Sequence, residues 1–275
     1  MQLMVGASKL YAATGGRPFD ARRPAILFLH GAGQDHTTWQ LPARYFAWHG
    51  RAALAPDLPA HGRSEGPALE SVAHMGRWVG ELLDAAGLGE AALVGHSLGA
   101  AVALEAAAAL GARITGLALI GAGLAMPVNP ALLAAARDDP PTAHRMIGAW
   151  GHAPRAKIGG SPSPGLWTVG GTLALLARNG PGVLHADLQA CTEWSSGTDA
   201  ASRVRCPALV VLGAQDVMAP PAAAEALARR LSAVRTVRID DCGHMLMAEA
   251  PDQVLDALIA FFAGGSADGG GRPGP

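Results

Sequence analysis

Ser97 stands in Gly95-His96-Ser97-Leu98-Gly99, a hydroxyl with a glycine two residues away on either side. A serine hydroxyl attacks a carbonyl only when a neighbouring base takes its proton, so its surroundings matter as much as the serine. The spacing suits a nucleophile carried on a sharp turn between a strand and a helix. The serine is then strained, and a β-carbon at either flanking position would collide with the turn. A helix starting at Leu98 would place the positive end of its dipole under the hydroxyl, where an oxyanion develops. Alone the pattern is weak, because Gly/Ser turns that open helices are common in a chain with 36 glycines.

The base must come from ten histidines. His244 lies in Asp241-Cys242-Gly243-His244, between the run Val234–Ile239 and the last helical pattern, Pro251–Phe262. A residue so placed sits at the carboxyl edge of a parallel sheet, where the ligand groups of open α/β sheets gather. Asp216, in Gly213-Ala214-Gln215-Asp216 just past Ala208–Leu212, reaches the same edge. Its carboxylate would hold the imidazole in one tautomer and stabilise the imidazolium formed during attack. The fourth element is His30-Gly31-Ala32-Gly33, after the run Ala25–Leu29. The backbone amides of Ala32 and Leu98 are the candidates for an oxyanion hole, with His30 orienting the loop rather than reacting.

These groups need a scaffold. Ala25–His30, Ala52–Ala55, Ala91–Gly95, Ile114–Ile120, Ala208–Leu212 and Val234–Ile239 read as short strands. Thr38–His49, Val72–Ala86 (stopped at Gly87), Leu98–Leu110 and Ala222–Leu231 read as helices. Such alternation predicts a parallel sheet with helices on both faces. The rhythm breaks between 123 and 202, where helical segments and Pro/Gly clusters occur without a clear strand, and Ser161–Gly165 reads as a loop. The expected organisation is one α/β core formed by 1–122 and 203–263, with a helical insertion at 123–202. The Gly/Pro-rich tail, 264–275, is expected to be disordered.

Half of the residues are hydrophobic and the formal net charge is -1, so the chain can bury a large core and offers no basic surface to a nucleic acid. No apolar run reaches the roughly 18 residues of a membrane span. The first residues do not read as a secretory signal. Cys191, Cys206 and Cys242 are odd in number and lack metal-ligand spacing, which predicts a reducing, cytoplasmic compartment and no metal. His144, His152 and His185 also lack such spacing and read as surface residues. Composition leaves the oligomeric state open.

HGAG at His30–Gly33, DLPAHGRS at Asp57–Ser64, GHSLG at Gly95–Gly99, and GAQD with DCGHMLMAEAP between Gly213 and Pro251 together resemble the α/β-hydrolase superfamily. The resemblance covers 25–262 apart from the middle segment. It implies a mostly parallel eight-stranded sheet with helices on both faces and a helical cap inserted after strand six. It implies a triad of Ser97, Asp216 and His244 in that chain order, the amides of Ala32 and Leu98 as oxyanion hole, and no cofactor. The DLPAHGRS loop, with Asp57, His61 and Arg63, is implied to be structural. Serine in place of aspartate as nucleophile argues against dehalogenase and epoxide-hydrolase chemistry. The small-molecule substrate most in keeping is a carboxylic ester with a small to medium hydrophobic acyl or aryl group. C–C bond hydrolysis, lactone hydrolysis, and perhydrolysis or acyl transfer use the same triad. A non-catalytic ligand-binding protein of this fold is the alternative of another class. For C–C cleavage, Arg178 and Asn179 are candidates for polar cap residues, although a surface loop is the plainer expectation. Met126, Trp150, Trp167 and Met245 are the candidates for a substrate pocket.

Overall fold

The computed structural model describes residues 1–161 and 165–263. The chain opens with β1 (Gln2–Val5) and β2 (Ser8–Ala13), paired antiparallel across a turn in which Gly6 takes φ +57°. Six further strands follow: β3 (Ala25–Leu29), β4 (Ala52–Pro56), β5 (Ala91–His96), β6 (Ile114–Ile120), β7 (Ala208–Gly213) and β8 (Val234–Ile239). They form one eight-stranded sheet in the order β1-β2-β4-β3-β5-β6-β7-β8, antiparallel as far as the β2–β4 pair and parallel beyond it. Strands β3 to β7 are buried almost without interruption, as strands covered on both faces must be.

The two-residue period of the strands divides the core. Leu27, Leu29 and Leu93 face a layer built by α2 (Val72–Ala85) and α3 (Leu98–Leu110), while Ile26, Phe28 and Val94 face α1 (Gln40–Trp48). Helix α2 buries Met75, Trp78, Val79, Leu82 and Leu83 at helical spacing, and Ser71 caps it by accepting from the His74 amide. Between β6 and β7 the chain forms α4 (Pro130–Asp138), α5 (Pro140–Trp150), α6 (Pro154–Lys157), α7 (Thr168–Leu176), α8 (Val183–Glu193) and α9 (Gly197–Arg203). The first, second, fourth and fifth of these share a separate apolar cluster of Leu132, Ala136, Ala143, Ile147, Leu176, Leu184 and Leu188, into which Met245 also packs. Three helices complete the core: α10 (Pro221–Ala228), α11 (Leu246–Glu249) and α12 (Pro251–Ala263).

The six strands expected from the sequence are present within a residue at their ends, and the insertion follows the sixth strand. The opening hairpin escapes residue-level reading because β1 is only four residues long, with Met4 60% exposed at the sheet edge. The expectations for 264–275 and for part of Ser161–Gly165 lie outside the described residues. Among the described residues, no helix is long and apolar enough to cross a membrane.

Candidate active site

Ser97 occupies the single residue between β5 and α3, with φ 54° and ψ -120°. A non-glycine residue there stores of order 1–3 kcal/mol, which only a rigid surround maintains. The surround is backbone. A β-carbon on Gly95 would run into the Gly99 carbonyl, and one on Gly99 into the carbonyls of Leu29 and His30. The turn is therefore packed against the end of β3, and both flanking positions require glycine. The Ser97 amide donates to the Ile120 carbonyl at 3.0 Å, which ties the turn to β6 as well.

His244 Nε2 lies 3.0 Å from Ser97 Oγ, and His244 Nδ1 lies 2.8 Å from Asp216 Oδ2. Asp216 Oδ1 accepts from the amides of Met218 and Ala219, both at 2.8 Å. Burial works against the charge on Asp216, but His244 and these hydrogen bonds outweigh it and hold the carboxyl below its ordinary value. The anion fixes Nδ1 as the protonated nitrogen of His244, leaving Nε2 to accept a hydrogen bond from the Ser97 hydroxyl.

The histidine backbone is fixed at both ends. Its carbonyl accepts from His96 Nε2 at 2.8 Å, and its amide, like that of Met245, donates to the Gly151 carbonyl at 2.9 Å, at the end of α5. His96 is fully buried, and burial lowers its pKa to about 3, so it is a neutral donor. Glu249 accepts from Gly243 at 3.2 Å and from Ala153, in the insertion, at 2.8 Å. Ser97 and His244 open onto a cavity of about 420 Å³ that Ala32 and Gln34 also reach. Its apolar wall includes Met126, Leu132, Ile147, Trp150, Leu188 and Met245. A hydroxyl on a strained turn, an imidazole bonded to it, an oriented carboxylate and a mainly apolar chamber form a set that can support acyl transfer to and from serine.

Over residues 26–257 the sequence matches the Alpha/beta hydrolase family. The chain belongs to that family. The hydrolase is 32% identical over 254 residues to a pimeloyl-[acyl-carrier protein] methyl ester esterase of Aromatoleum aromaticum, across 84% of this chain and 94% of that one. Its fold is similar to that of the enol-lactonase from Burkholderia xenovorans (TM-score 0.85, 20% identity, 96% of this chain and all of that one). It is also similar to a thermophilic esterase from Thermogutta terrifontis (TM-score 0.82, 22% identity, 96% and 98%).

Within this hydrolase, Met126, Trp150 and Met245 line the cavity beside Ser97. Trp167 does not, which corrects the expectation: it caps α7 with its ring against Gly170 and is 60% exposed. His152 also departs from its expected surface place. It is 2% exposed, bonded to the Gly148 carbonyl and the Thr172 hydroxyl. Arg178 and Asn179 do not line the Ser97 cavity. Arg178 binds Asp35 Oδ2 at 2.6 Å, and Asn179 donates to the Gly33 carbonyl at 2.5 Å. His30 donates from Nδ1 to Gly31 O and accepts the Leu58 amide at Nε2, the loop-orienting place expected of it. Sequence reading missed the wall residues Leu132, Ile147 and Leu188, whose helical spacing serves packing and pocket alike.

Proposed function

We propose that the hydrolase cleaves a carboxylic ester through an acyl-enzyme on Ser97, and that Ser97, His244 and Asp216 are its triad. The observation that carries this reading is the continuous chain from Ser97 Oγ to His244 Nε2 at 3.0 Å and from Nδ1 to Asp216 at 2.8 Å, opening on an apolar chamber. Ser97 Oγ attacks the ester carbonyl as His244 takes its proton. The tetrahedral oxyanion is received by the amides of Ala32 and Leu98. Leu98 is the first residue of α3, so its N–H has no partner inside the helix. Collapse releases the alcohol, protonated by His244, and leaves the serine ester. Water then gives its proton to His244 and attacks that ester, releasing the acid and restoring Ser97. No step calls for a metal or organic cofactor.

The likeness to a methyl ester esterase supports an ester over a carbon–carbon bond. So does the placement of Arg178 and Asn179 away from the Ser97 cavity, where neither can polarise a scissile bond. The chamber suits a small to medium acyl or aryl group. Three free cysteines support a reducing compartment such as the cytoplasm.

The test is hydrolysis of p-nitrophenyl esters from acetate to laurate, with labelling by a serine-directed phosphonate. The wild type is expected to turn over esters and to be labelled at Ser97. Ser97→Ala is expected to lose about 10⁴-fold or more in kcat, together with the label. A wild type that neither hydrolyses any ester nor takes the label would overturn the reading.

A further inference from the structure

We propose that Asp187, on the inserted helix α8, is a positioning residue for the oxyanion hole, so that the hydrolase is fully competent only with its insertion seated on the Gly31–Asp35 loop. This rests on the reading that the Ala32 amide receives the oxyanion. Gly33, the next residue, donates its N–H to Asp187 Oδ2 at 2.8 Å, across 154 positions of sequence. The same oxygen lies 2.8 Å from His61 Nε2, and His61 Nδ1 lies 3.0 Å from the Pro59 carbonyl. Both ring nitrogens face acceptors, a pattern that only the imidazolium satisfies. His61 and Asp187 are each 1% exposed, so they form a buried ion pair joining insertion, loop and core.

The charges around the pair agree with that protonation state. Burial pushes His61 down, but Asp187, the Pro59 carbonyl and Asp57 together outweigh it and hold His61 above the ordinary histidine value. His30, whose ring centroid is 4.9 Å away, is kept neutral by burial, with a pKa of about 4. A buried ion pair is a poor source of stability, because desolvation rivals the attraction; what it fixes is register. Here the register is that of one short loop. Asn179 holds the Gly33 carbonyl, Arg178 holds Asp35, and Leu176 and Leu184 stand 3.0 and 2.9 Å from where a β-carbon on Gly33 would be. Oxyanion donors work by being aimed before the charge appears. The peptide that follows Ala32 owes its direction to the insertion through the Gly33 N–H, while the Gly31 carbonyl, in the peptide that carries the Ala32 N–H, accepts from His30 Nδ1 and the Gln34 amide.

The experiment compares wild type, Asp187→Ala, Asp187→Asn and Glu105→Gln for kcat and KM on p-nitrophenyl butyrate, the rate of Ser97 phosphonylation, and thermal stability. Asp187→Ala is expected to lower kcat and phosphonylation together by about 10-fold or more, with KM within about 3-fold of wild type. Asp187→Asn keeps an acceptor for Gly33 and is expected to recover most of that loss. It also lacks the wild-type fall in kcat as pH rises through the His61 ionisation, since it holds no anion for the imidazolium. Glu105→Gln weakens the insertion elsewhere, by turning the charged acceptor of Trp194 and Ser196 into a neutral amide oxygen, and leaves kcat within about 2-fold. Unchanged kcat in Asp187→Ala, or an equal loss in Glu105→Gln, overturns the proposal. If Asp187→Ala does not fold, an Asp187→Asn pH profile identical to wild type overturns it. Absent turnover and labelling in the wild type itself would strike the esterase reading instead.

Discussion

At the scale of single residues, the site is a set of atoms that backbone and hydrogen bonds leave little freedom. Asp216 receives two amides on one oxygen and the histidine on the other. Asp216→Asn keeps the shape but favours the wrong tautomer of His244, and kcat should fall by about 10⁴-fold with little change in thermal stability. A small loss would mean that another group orients the histidine. Gly99→Ala tests the turn: its β-carbon meets two carbonyls that cannot withdraw, and calorimetry should show a loss of about 3 kcal/mol. These groups were legible in the sequence because each announces itself locally. The glycines mark a turn with no room, and Asp216 and His244 each follow a strand. Trp167 was misread because bulk and apolarity say nothing about direction, and this ring lies along its own helix at the surface.

At the scale of elements, the loops carry the precision and the strands only bring them together. The loop before α11 holds His244 through Glu249, which bridges Gly243 and Ala153. Burial raises the Glu249 pKa against the pull of those amides. Glu249→Ala should therefore displace the histidine loop and lower kcat by about 10-fold, because small misplacements of a base are costly. An unchanged kcat would show that His96 and Gly151 suffice to seat it. Strand and helix limits were readable from period and from stops such as Gly87, whereas the clasps Gly33–Asp187, Gly33–Asn179 and Asp35–Arg178 were not. They join positions more than a hundred residues apart, and no local pattern marks a residue that bonds so far away.

At the scale of the whole molecule, titration and chamber size become measurable. Burial keeps His30 and His96 neutral to about pH 4 and about pH 3, whereas an unfolded chain protonates them near 6.5. Between those limits the unfolded state binds more protons, so stability must fall as pH falls from about 6.5. His61 has the opposite sign: its contribution is complete below about 6.5 and is lost as pH rises through its raised value. Thermal melts from pH 7 to pH 4 should show a declining Tm, with a shallower decline in His96→Gln; a flat profile would contradict the neutral buried histidines. The chamber beside Ser97 also has a neighbour, a cavity of about 550 Å³. Gln34 and Met245, in contact at 3.5 Å, line both. Met245→Ala should open one into the other and move the preferred p-nitrophenyl ester toward longer chains, while an unmoved optimum would mean that other groups divide them.

The Gly151 carbonyl, which accepts the amides of both His244 and Met245, bears on how such enzymes diversify. The insertion supplies much of the apolar wall beside Ser97, so exchanging it for another would change the shape of the chamber. Here the insertion also carries the hook from which His244 hangs, so an exchanged insertion has to bring a carbonyl to the same point or the recipient loses the seat of His244 along with its old chamber. A chimera should therefore keep the Gly151 corner intact, whereas point changes on the inner faces of the insertion reshape the chamber and leave that corner in place.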